Sequence, residues 1–150
     1  MTEKMREYKI YSGEPACSYK EKSKICKETI SNIIRHNNKE LERCIEDDSF
    51  DPNERFDSNC VARENYINYA CNNSNFDAAR IISKKYQVSL DSYDKERLLL
   101  ELIYKRKFAL LYSLISSIEG RRISIGRFIK GIIKQDYDSI VEGPKRTLKE

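Results

Sequence analysis

The chain has 150 residues, 35% of them charged, 10% aromatic, and a formal net charge of +4. That length sets one domain and lets a globular fold bury roughly 68–70% of its unfolded surface. Ile, Leu, Phe and Tyr recur at helical spacing, which excludes a disordered chain, and no apolar run reaches the length of a membrane span.

Taken in order, residues 1–22 hold no period, and Gly13-Glu14-Pro15 interrupts them. They read as an arm or a terminal cap. Ser23 is placed to cap a helix over 24–35, with Ile30, Ile33 and Ile34 inward. His36-Asn37-Asn38 turns the chain, and 39–46 forms a second helix with Leu41, Cys44 and Ile45 apolar. Residues 47–59 are an acidic loop containing Pro52 and the rings of Phe50 and Phe56, which read either as exposed contacts or as packed beneath the loop. Helices follow over 61–71 and 75–86, separated by a polar break at 72–75. Asp94 is placed to cap a helix over 95–105, and another covers 107–118. Both are apolar on more than one face, which makes them the middle of the core. Glu119-Gly120-Arg121-Arg122 is a turn, and Ser124 caps a helix over 125–134. A short helix over 136–141 is stopped by Gly143-Pro144, leaving 143–150 as a tail.

The helices come in pairs that repeat. NFDAARII at 75–82 has counterparts in NKELERCI at 38–45, KFALLYSL at 107–114 and DYDSIV at 136–141. Each follows a short apolar segment, and matching positions lie 37, 32 and 29 residues apart. One pair of this size cannot bury its own apolar stripe and needs a similar neighbour on each side.

These units resemble ankyrin repeats, whose period is about 33 residues. Asp51-Pro52-Asn53 is similar to the loop that follows an ankyrin helix pair, and 89–96 holds the corresponding place after the second pair. The resemblance spans roughly residues 25–142. The T-P-L-H tetrapeptide is absent from every unit, and the chain has only five glycines where the family uses them repeatedly. The resemblance implies an all-α array of about four helix pairs over 23–142, with atypical ends and no catalysis. It also implies a protein partner, bound through loop tips and inner helices. On that basis the candidate contacts are Phe50, Asp51, Asn53, Arg55 and Phe56 in the first loop, Tyr93 and Lys95 in the second, and Arg121 and Arg122 in the third turn. Ile, Lys, Asn and Tyr are heavily used, as in A/T-rich genomes. Large DNA viruses such as poxviruses combine such genomes with degenerate ankyrin-like proteins. The resemblance therefore extends to an inhibitor of host innate immune signalling, with a host signalling or antiviral protein as partner.

Little in the sequence calls for chemistry. There is one histidine, His36, at a turn, and the five cysteines have no C-x-x-C spacing. No phosphate-binding or dinucleotide-binding glycine motif occurs. No cofactor or metal is expected. Cys26 and Cys44 occupy apolar helical positions, where reduced cysteine acts as a small hydrophobe, so a reducing, cytoplasmic setting is expected. The N-terminus lacks the apolar core of a secretory signal. Charge is uneven: residues 1–103 carry a net −2 and residues 104–150 a net +6. The alternative reading is therefore a basic helical module that binds nucleic acid through residues 105–134.

Overall fold

A computed structural model describes residues 22–58 and 61–141; the expected N-terminal arm and C-terminal tail lie outside them, apart from Lys22. Among the described residues there are eight helices: α1 (Lys24–Ile34), α2 (Asn38–Ile45), α3 (Tyr66–Asn72), α4 (Phe76–Lys85), α5 (Ser92–Tyr104), α6 (Phe108–Glu119), α7 (Ile125–Lys134) and α8 (Tyr137–Val141). The fold is all-α, with one isolated antiparallel bridge between Phe56 and Glu64.

Short polar side chains start most of these helices. Ser23, Asn37, Asn65, Asn75, Asp91 and Ser124 each accept a hydrogen bond from a backbone N–H in the first turn of the helix that follows. Each such cap contributes about 1 kcal/mol. Ser23 and Ser124 fall where the sequence places them. Two expectations need correction. Asp91, not Asp94, caps α5, and its carboxylate holds the Asp94 N–H at 2.8 Å. The helix expected from 61 starts at Tyr66, because Arg63 is left-handed (φ 56°) and Glu64 is spent on the bridge to Phe56.

The repeat is written in the turns. His36, Ser74, Arg106 and Gln135 all have φ between 54° and 59°. Each donates its N–H to the carbonyl three residues back: Ile33, Cys71, Ile103 and Ile132 respectively. The next residue donates five back: Asn37 to Asn32, Asn75 to Ala70, Lys107 to Leu102, Asp136 to Gly131. The same helix-ending hydrogen-bond pattern also closes α6, where Gly120 (φ 70°) holds the left-handed position that glycine usually takes. At the four turns inside the helix pairs L-residues hold it instead, in keeping with the scarcity of glycine. The turns fall 38, 32 and 29 residues apart, so the first sequence spacing of 37 is one residue short.

Three pairs stack in register. First helices pack on first helices, α1 on α3 and α3 on α5; second helices pack on second, α2 on α4 and α4 on α6. Side chains bridge the stacked turns. Asn38 and Asn75 exchange amide hydrogen bonds at 3.2 and 2.9 Å. The Lys105 ammonium donates to the Cys71 carbonyl at 2.9 Å. α5 and α6 bury Leu98, Leu99, Leu102, Leu111 and Leu114 almost wholly, but α5 is not covered all round as its apolarity implies: Leu100 and Tyr104 are 46% and 84% exposed.

The fourth pair is turned end for end. α8, not α7, packs on α5. The Tyr137 N–H, at the α7–α8 turn, meets Glu96 near the start of α5 at 3.1 Å, and its hydroxyl donates to Glu119 at the end of α6 at 2.7 Å. α7 reaches α6 through the Phe128 ring, which meets Tyr112 edge-on at 5.2 Å. The α7–α8 junction is tight at Gly131, where a Cβ would overlap Ile140 Cγ1.

Candidate interaction surface

The first loop folds inward. Phe50 and Phe56 are only 7% and 4% exposed. Both stack on buried Tyr66, at 5.3 and 5.1 Å between ring centroids, and Phe56 also meets Tyr69 edge-on at 5.3 Å. The expectation that these two rings form a contact surface is therefore corrected: they are core. Burial pushes the Tyr66 hydroxyl up from its ordinary pKa, as it does the Cys26 thiol beside it.

Asp51 and Asn53 remain exposed but are tied into the loop. The Asp51 carboxylate accepts the Asn53 N–H at 2.9 Å, and the Asn53 side chain accepts the Ser89 N–H at 2.8 Å, joining the first loop to the second.

Arg55 is no free contact either. Its guanidinium reaches Asp94 at 2.6 Å and donates to the Arg63 carbonyl at 3.0 Å. Arg97 spans Glu64 at 2.6 Å and Asp94 at 3.3 Å. Glu64 is fully buried and also accepts from the Asn72 amide at 3.3 Å. Burial alone would raise the Asp94 carboxyl, but the two arginines outweigh it and hold the group below its ordinary value. Two carboxylates and two guanidiniums balance here, locking the first loop, the start of α3 and the start of α5 together. The sequence shows these charges but gives no sign that they meet.

Tyr93, expected in the second loop, lies instead in the first turn of α5 and is 68% exposed, with the Arg97 guanidinium 5.2 Å from its ring centroid. It begins a row down one side of α5, continued by Arg97, Leu100 and Tyr104 at i+4, i+7 and i+11. Tyr104 is 84% exposed. Lys95 points elsewhere: it pairs with Glu119 at 3.2 Å and lies 5.4 Å from the Tyr137 ring centroid, fastening the fourth pair. Arg121 and Arg122 are both exposed, and the Arg121 guanidinium donates to the Val141 carbonyl. Of the nine candidates, Asp51, Asn53, Tyr93, Arg121 and Arg122 face solvent. The α5 row was missed because the helix expected over 95–105 is apolar on more than one face, so Leu100 read as core.

Recesses flank the stacked pairs, among them two built on different faces. One, of about 680 Å³, runs along the turns and is lined in part by His36, Phe76, Arg80, Arg106, Lys107 and Phe108. Asp77 pairs with Arg80 at 3.1 Å, and the Lys107 ammonium sits 4.8 Å from the Phe76 ring centroid. The other, of about 550 Å³, lies between α1 and α3 beside Ile30, Ile34, Tyr69 and Val61. Among the described residues no group of three His, Cys, Asp or Glu side chains could hold a metal ion. Cys26, Cys44 and Cys71 are free and buried, and burial pushes the Cys71 thiol up to about 12. No described helix is long and apolar enough to cross a membrane.

No family model, curated protein or solved structure matches the chain significantly.

Proposed function

We propose that the chain is a non-catalytic protein-binding module built from ankyrin-like helix pairs, with the free side of α5 as its main contact. The observation that carries this is the row of exposed side chains Tyr93, Leu100 and Tyr104, with the part-buried Arg97 beneath it. Large, stiff, exposed aromatic side chains are among the types that dominate binding energy at protein interfaces. This row is also held in place from behind, because Arg97 is anchored on Glu64 and Asp94. Little of the energy of binding is then lost to ordering it.

Two features support the ankyrin-like assignment. Helix pairs stack first on first and second on second. The same turn recurs near the expected period. By the resemblance, a host signalling or antiviral protein is the partner class to test first.

The nucleic-acid reading draws less support. Lys105 is committed to the Cys71 carbonyl and to Glu101, and Arg121 to Val141. The remaining cations are divided among the turn recess, Arg122 and α7. Affinity capture from lysate, with and without nuclease, tests the two readings. A stoichiometric protein retained after nuclease is the expected result. Retention that disappears with nuclease and falls steeply with salt would replace this reading by the nucleic-acid one.

A further inference from the structure

α7 carries a second free face of different character. Its sequence is IGRFIKGIIK. Phe128 and Gly131 are turned into the protein. Ile125, Ile129 and Ile133 are not: they are 55%, 51% and 77% exposed. Four residues apart, they form a single straight ridge along the helix, roughly 12 Å from first to last. Next around the helix comes Gly126, where an added Cβ would meet nothing within 4 Å. Beyond that opening stand Lys130 and Lys134, both exposed. The helix contains no carboxylate. The end-for-end placement of the fourth pair leaves this face outward, since α8 rather than α7 packs on α5.

We propose that the α7 face binds an acidic amphipathic helix of a partner protein. This rests on the binding-module reading and adds a second surface to it. The isoleucine ridge seats between two apolar rows of the partner helix, as i±4 ridges do. Glu or Asp on the flank of that helix faces Lys130 and Lys134. Charge separates this occupant from the others. A symmetric contact between two copies would bring Lys130 and Lys134 of both chains together. Residues 1–21 hold four acidic and four basic side chains, and 142–150 hold two acidic and three basic, so neither segment supplies negative excess. A membrane surface favours a broad apolar face with aromatic side chains at headgroup depth, and the ridge is narrow and purely aliphatic.

The test selects a display library of short helix-forming peptides against the full chain, then measures the enriched peptides against variants. Enriched sequences are expected to carry apolar residues at three- and four-residue spacing flanked by Glu or Asp. Ile129→Glu with Ile133→Glu should weaken them about tenfold or more. Lys130→Glu with Lys134→Glu should shift preference to Lys-flanked peptides. Because all four side chains are exposed, melting followed by circular dichroism should be unchanged in these variants. Peptides without acidic excess, or peptides indifferent to the α7 variants, would overturn the proposal. So would binding confined to phosphatidylserine vesicles, or dimerisation broken by the same variants. If the enriched peptides are lost with Tyr104→Ser instead, this proposal fails and the binding-module reading stands. If no peptide enriches and capture returns no stoichiometric protein, both fail.

Discussion

Truncating Phe56 removes a ring that meets Tyr66 at 5.1 Å and Tyr69 at 5.3 Å in the densest aromatic cluster of the molecule. Phe56→Ala is therefore expected to cost about 3–5 kcal/mol, read as a lower denaturation midpoint. An unchanged midpoint with lost partner capture would return Phe56 to the surface. The buried charges predict a pH response. Asp94, held below its ordinary pKa by Arg55 and Arg97 against the opposing effect of burial, stabilises the fold above its unfolded value of roughly 3.9. That stabilisation is lost as pH falls through the lower folded value. Urea midpoints should therefore drop most steeply below about pH 4. Asp94→Asn should flatten that slope and lower stability at neutral pH, since Arg55 loses its carboxylate; an unaltered slope would assign the acid response to other groups. Residue types such as Phe50 and Phe56 in an acidic loop cannot disclose burial, because what covers them comes from Tyr66 and Tyr86, up to 36 positions away.

The helices themselves were legible wherever a capping residue precedes a periodic apolar run, as at Ser23 and Ser124. They were less so where two acids compete, as at Asp91 and Asp94, or where a bridge intervenes, as at Glu64. The left-handed turn position is the element-scale feature with the clearest consequence. His36, Ser74, Arg106 and Gln135 each bear a cost of about 1–2 kcal/mol that glycine avoids, against a greater loss of chain entropy of about 0.4–1 kcal/mol. Replacing each with glycine should stabilise the fold by about 0.5–1 kcal/mol and leave helicity intact, as thermal melting would record. Loss of stability would mean that these side chains make contacts worth more than the strain. Gly131→Ala runs the other way. Its Cβ would strike Ile140, outweighing a helix-propensity gain of about 1 kcal/mol, so the α7–α8 pair should loosen. Hydrogen exchange confined to residues 125–141 would report it.

At the scale of the molecule, the pairing of helices follows from periodicity, whereas apolarity alone overstated how far α5 is covered. The inverted docking of the fourth pair follows from neither, because it depends on Tyr137 finding Glu96 and Glu119 across more than one helix. The same inversion decides which isoleucines of α7 are covered, and so where apolar surface is left for a partner. On α5, the buried arginine–carboxylate network and the exposed row are two sides of one helix: Arg97 belongs to both. A mutation in the network should therefore weaken binding as well as stability, whereas mutation of Leu100 or Tyr104 should weaken binding alone.

The measurement that tests this most directly is partner capture by Leu100→Ser/Tyr104→Ser beside the unmodified chain, with melting temperature recorded for both. Capture reduced about tenfold or more at an unchanged melting temperature is the result this account predicts. Full capture by the double variant would contradict it and take the binding site away from α5.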